Sequence, residues 1–256
     1  MSASNISEIM EHLEGDLIQE VPLKDISALK TVDAAVFHDK NFSPSQAMIL
    51  VPKFLTKKKI QLSDLKALGS ATRGLSCDLM KKLNDSNLLM QVTYLVNTST
   101  LSRSQMMCLA DRLHEKLTKD DAKYFKNITE NQINSIHPAI LTLFPFHDIQ
   151  SIPEAACPAL IARFGETNPT LLPKSSPKRS TFVTKATNCL DFKKPEVMKL
   201  GFLVCDISAR QLNATPNEQF KTLIPKLHAC GTLSKEKADV VAAKLESGFG
   251  YLANSH

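Results

Sequence analysis

Six cysteines give this 256-residue chain a regular rhythm: Cys77 and Cys108, Cys157 and Cys189, Cys205 and Cys230, with separations of 31, 32 and 25 residues. A bridge within each pair would tie one short stretch to a later one, which restricts the fold more than any other single pattern here. Six cysteines permit fifteen full pairings, so the spacing favours this arrangement without excluding the others. Six free, buried thiols in an intracellular helical protein is the competing reading. No C-x-x-C occurs and no cysteine clusters with a histidine, which argues against structural zinc and a thioredoxin-type redox site.

A second pattern bears on the choice. Asn-X-Ser/Thr acceptors for N-glycosylation stand at Asn5, Asn41, Asn84, Asn97, Asn127 and Asn213. Thirteen asparagines at ordinary serine and threonine content would give about two such triplets by chance. Even cysteine count, pairing rhythm and acceptor excess together point to an oxidising, extracellular setting. Residues 1–20 have no apolar h-region, so a secretory signal is expected upstream of this sequence. No apolar run approaches the roughly 18 to 20 residues of a membrane helix.

Apolar period and turn chemistry predict helices nearly everywhere. In Leu101–Leu117, LSRSQMMCLADRLHEKL, the residues Met106, Leu109, Ala110, Leu113 and Leu117 recur at three- and four-residue steps. Ser102 and Gln105 open it with the spacing of a capping box. The same design is read at Ser43, Pro44 and Gln46, at Thr215, Pro216 and Glu218, and more weakly at Thr118, Thr129 and Ser151. Internal similarity accompanies these starts: residues 43–54 lie on 102–113, and 218–227 on 104–113. GLSCDLMKKL and FLVCDISARQL likewise each carry Cys-Asp into a short helix. Aromatics are 6% and tryptophan is absent, so strands are poorly supported. The expected fold is therefore all-α, a degenerate repeat of short helices in an armadillo-like superhelix stapled by disulfides. Helical repeats are expected over residues 1–165 and 181–256 around a Pro/Ser-rich loop at 166–180, or as one continuous domain.

Chemistry is harder to find. None of the seven histidines sits in H-x-x-x-H or H-E-x-x-H spacing, and Gly-x-Ser-x-Gly, G-x-G-x-x-G and the P-loop pattern are missing. His137 and His147 flank an apolar run, where a buried or capping role is expected. No catalytic residue, cofactor or metal ligand can be named, and the chain is read as no enzyme. The formal charge of +5 is too diffuse to argue for nucleic acid. Two basic clusters, Lys57, Lys58 and Lys59, and Lys174, Lys178 and Arg179, are candidates for an anionic partner, either a heparin-like sulfated glycan or an anionic membrane surface, against the simpler reading of solvated loops.

LGFLVCDISARQL, LIPKLHAC and ADVVAAKLESGFGYL, with LSRSQMMCLADRL and LLPKSSPKRSTFVTKATNCL, resemble the mesothelin, stereocilin and otoancorin family over about residues 68–251. The segment is similar to the amino-terminal, megakaryocyte potentiating factor portion of the mesothelin precursor. That resemblance implies an extracellular, glycosylated, right-handed superhelix of armadillo-like repeats without catalytic activity, and it strengthens the nearest-neighbour pairing of the cysteines. The mucin-binding portion lies beyond the resembled segment, so mucin binding is carried to no residue here. The expected function is a secreted or cell-surface binding or adhesion protein that engages an extracellular protein or glycan. The alternative is a carrier of a small hydrophobic ligand among Met48, Met80, Met90, Met106, Met107, Phe144 and Phe146. An intracellular scaffold with reduced cysteines is a third reading.

Overall fold

The computed structural model describes residues 3–249; His256 lies outside them. Among the described residues the chain is all-α, with no strand and two isolated parallel bridges, Gly15 with Lys40 and Ile60 with Leu83. It forms two compact units, Met1–Ala122 and Lys123–His256. The stretch 166–180 therefore lies within the second unit instead of dividing two halves. Leu172 and Arg179 are both buried there, and Arg179 Nη1 donates to the Leu172 carbonyl at 2.8 Å.

The first unit runs through α1 (Ala3–His12), α2 (Leu23–Ala28), α3 (Pro44–Phe54), α4 (Leu62–Leu68), α5 (Cys77–Met80), α6 (Leu88–Thr98) and α7 (Arg103–Asp120). The second holds α8 (Tyr124–Asn127), α9 (Glu130–Ser135), α10 (Pro138–Leu141), α11 (Phe146–Ser151), α12 (Cys157–Glu166), α13 (Pro177–Cys189), α14 (Ala209–Ala214), α15 (Asn217–His228) and α16 (Lys235–Phe249). Most are short, and short helices are marginal alone, because nucleation fixes several dihedrals for the first hydrogen bond. Packing and caps must supply what length does not.

Capping boxes open α3 (Ser43 with Gln46), α7 (Ser102 with Gln105) and α9 (Thr129 with Gln132). Ser208 and Gln211 form a further one on α14. Three expected starts are corrected. Thr118 lies inside α7 and donates to the His114 carbonyl, while Ser151 ends α11 and donates to that of Asp148. Their hydroxyls bond back into the preceding turn instead of forward onto a new one. At α15 the N-cap is Pro216, with no side-chain cap, so Thr215 and Glu218 form no box. Gln219, at the third helical position, keeps a buried Oε1 without a partner. Proline has no N–H to give it, so half of the reciprocal box cannot form.

Each unit has its own apolar core. Phe42, Leu50, Ile60, Leu65 and Leu68 are fully buried in the first. In the second, Phe164 stacks on Phe182 with centroids 4.4 Å apart, and Phe125 meets Phe144 edge-on at 5.4 Å. Backbones also approach directly. A Cβ on Gly201 would stand 2.1 Å from the Gly165 carbonyl oxygen, and Gly201 has φ +54°, so only glycine fits both the contact and the conformation. Gly201 thereby splits the 3-10 segment Pro195–Cys205 into two turns that bear on the end of α12.

Candidate binding surface

A recurring arrangement positions the charged side chains. In α3, Gln46 Nε2 donates to the carbonyls of Ile18 and Val21, both at 3.0 Å, just ahead of α2. Seven residues later Lys53 reaches the carbonyls of Ser27 and Leu29 at the far end of α2. In α7, Gln105 Nε2 donates at 2.8 Å to Arg73 and Leu75 ahead of α5, and Arg112 reaches the Leu83 carbonyl beyond it at 3.3 Å. The second unit repeats this with lysines. Lys178 and Lys185 of α13 bind carbonyls on either side of α11: Leu143 and Phe144, then Gln150 and Ile152. Lys237 and Lys244 of α16 bind those of Cys205 and Thr215 around α14.

In all four cases the two donors are seven residues apart on a longer helix, which puts them on one face two turns apart. That separation matches a clasped helix of four to six residues. The first donor anchors the chain entering the short helix, the second satisfies carbonyls at or beyond its C-terminal end, and a cation there also complements the dipole. Burial pushes the Lys185, Lys237 and Lys244 ammonium groups below the ordinary lysine value, with Asp206 opposing the shift at Lys237 and Glu154 at Lys185. These lysines are structural cations.

All six cysteines are paired, as Cys77–Cys108, Cys157–Cys189 and Cys205–Cys230, with Cα separations of 5.5, 5.7 and 5.3 Å. Cys77–Cys108 ties α5 to the helix that clasps it. Cys157–Cys189 joins the start of α12 to the end of α13, and Cys205–Cys230 links the segment before α14 to the residue group after α15.

The two basic clusters of the sequence differ in kind. Arg179 is 5% exposed, ion-paired to Asp206 at 2.6 Å and stacked over Phe202, so it is no surface cation. Lys178 serves the clasp on α11, and Lys174 donates to the Cys230 carbonyl at 3.1 Å. Lys57, Lys58 and Lys59 are exposed, with Lys57 paired to Asp64 at 2.9 Å. Sequence reasoning missed what lies beside them: Ile60 and Leu83 pair as parallel backbone, bringing Lys81 and Lys82 next to this loop. Tertiary pairing leaves no local signal, so only the structure joins them.

Of the acceptor asparagines, Asn5, Asn41, Asn97, Asn127 and Asn213 are exposed. The Asn41 amide nitrogen donates to Asp16 at 2.7 Å and that of half-buried Asn84 to Gln61 at 2.9 Å. His137 caps α10, its Nδ1 accepting the Ala139 N–H at 3.2 Å. His147 is exposed beside Asp148. Met80 and Phe144 are fully packed into the cores of their units, whereas Met48, Met90, Met107 and Phe146 are 47–59% exposed. Met48 lines an open groove of about 790 Å³ with Pro44, Pro52, Leu75 and Leu101, between α3 and α7. Among the described residues no three acidic, histidine or cysteine side chains are grouped to hold a metal ion, and no helix is long and apolar enough to cross a membrane.

These features define a class: all-α proteins stapled by disulfides, in which longer helices clasp short ones end to end. A family model described as Mesothelin matches residues 45–254. The chain belongs to the mesothelin family. It is 26% identical to otoancorin of Mus musculus over 255 residues, covering 98% of this chain and 21% of that relative, so it spans about a fifth of the relative's length. The match takes in residues before 68, where the motif resemblance began. No solved structure matches the chain.

Proposed function

We propose that this chain is a secreted or cell-surface binding protein without catalytic activity, whose exposed helical surface engages an extracellular protein or glycan in adhesion. The observation that carries this reading is the pairing of all six cysteines in a member of the mesothelin family. Such bridges persist in oxidising compartments and are reduced in the cytosol. Lys174 and Lys178, expected to meet a partner, are instead committed to backbone carbonyls. The remaining surface, bearing exposed lysines and five exposed acceptor asparagines, is the part available to a partner.

The test is secretion of the chain behind an added signal sequence from mammalian cells, followed by non-reducing peptide mass spectrometry and flow cytometry of the labelled protein on cultured cells. Linked peptides 77–108, 157–189 and 205–230, glycans on exposed acceptor sites and saturable cell binding are the expected result. Retention in the cell with free thiols, or no saturable binding to any cell type, would overturn the reading.

A further inference from the structure

We infer that the first unit carries a binding site for a sulfated polysaccharide, formed where the Lys57–Lys59 loop meets α5 and α7; this rests on the extracellular reading above. A hollow of about 310 Å³ is lined by Lys81, Asp85, Arg112, Glu115, Lys116 and Lys119, four cations against two anions. Arg112, Lys116 and Lys119 follow one another at four- and three-residue steps, so α7 presents them along one face. Lys81 and Lys82 come from the end of α5. Lys59 joins from the opposite side, close enough to act electrostatically on Asp85.

The acidic groups are largely occupied. Asp85 is ion-paired to Arg112, whose hydrogen bond holds its carboxyl below the ordinary aspartate value. Asp78 pairs with Lys81, Asp120 with Lys116 and Asp64 with Lys57. Glu115 is the remaining acid in the lining. Among the described residues Lys58, Lys82 and Lys119 are exposed and make no side-chain hydrogen bond or ion pair. Arg112 Nε is buried without an acceptor. Free ammonium groups around a polar hollow attract a repeating anion.

The lining also discriminates among polyanions. It contains no aromatic side chain on which a base could stack, and no apolar side chain to enter a bilayer. Sulfate groups on a flexible saccharide chain need neither. Outside the cell, sulfated glycan is the polyanion that meets these requirements.

The decisive experiment measures binding of the intact, disulfide-bonded chain to immobilised heparin at about 0.15 M salt, where only close charges escape screening. The test variant combines Lys58→Glu, Lys82→Glu and Lys119→Glu, three exposed residues whose replacement removes no side-chain hydrogen bond or ion pair. The control combines Lys24→Glu, Lys193→Glu and Lys194→Glu, also exposed, with the same change in net charge. The expected result is at least a tenfold weaker Kd for the test variant and less than a twofold change for the control, with both melting like the parent. Equal losses in the two variants, no heparin binding by the parent, or equally tight binding of duplex DNA or phosphatidylserine vesicles would each overturn the inference. Heparinase treatment of the cells separates the two readings. Cell binding that survives both heparinase and the test substitutions overturns the glycan site and leaves the surface-binding protein standing. Heparin binding that depends on the three lysines, with no binding to any cell, does the reverse.

Discussion

His137 is a cap that works only in one protonation state. Its Nδ1 accepts the Ala139 N–H, and burial, aided by the nearby Arg163, pushes its pKa below the ordinary value of 6.5. Between the folded value and 6.5 the unfolded chain binds more protons, so stability falls as pH drops through that window. Urea midpoints measured at about pH 7 and pH 5 should show a loss of stability on acidification that His137→Asn, which keeps an acceptor but does not titrate, largely abolishes. A second residue-scale prediction concerns glycine. Gly201→Ala should cost about 3 kcal/mol or more, because the added carbon meets the Gly165 carbonyl. Gly231→Ala, at φ +77° with open space around it, should cost only the backbone strain of about 1–2 kcal/mol. Equal costs by denaturant unfolding would show that the close approach is not limiting.

At the scale of the element, the clasp explains how helices of four to six residues persist. Gln105 has two duties: it closes the capping box of α7 and holds the carbonyls of Arg73 and Leu75 ahead of α5. Ser102 bonds only within the start of α7, to Gln105 and the Ser104 hydroxyl. Gln105→Ala should therefore cost about 2–3 kcal/mol and Ser102→Ala about 1 kcal/mol, measured by equilibrium unfolding. Equal costs would mean that the clasp contributes nothing beyond the cap. The repeat that aligns residues 43–54 with 102–113 gains its meaning here. The aligned glutamines and bases are the clasp donors Gln46 and Lys53, Gln105 and Arg112. Lys178 with Lys185 and Lys237 with Lys244 escaped that alignment because the physical requirement is a donor, not a particular residue type.

At the scale of the molecule, the bridges span loops of 25 to 32 residues. In the chain-entropy account each stabilises by about 3.5 kcal/mol through the unfolded state. Joint replacement Cys77→Ser and Cys108→Ser should lower the melting temperature by several degrees, measured calorimetrically without reductant. An unchanged transition would count against the bridge. The division into two units at Ala122 was not legible in composition. The conspicuous Pro/Ser-rich stretch 166–180 is pinned inside the second unit by Arg179, while the actual boundary carries only charged and small residues.

By itself, the sequence determined the helical class and the boxes at Ser43, Ser102 and Thr129, and it favoured, without deciding, the nearest-neighbour pairing of the cysteines. Each is local or one-dimensional: a period of 3.6, a three-residue hydrogen bond, a chain separation. Tertiary structure alone decided which basic residues are available to a partner. Arg179 and Lys178 read as surface charges in the chain but meet a carboxylate and carbonyls brought from some 30 residues away. Lys81, Lys82, Lys116 and Lys119, scattered in the sequence, converge with Lys59 because backbone pairing at Ile60 and Leu83 and the face of α7 bring them together. Charge is a property of a residue, whereas its availability depends on what the fold places beside it.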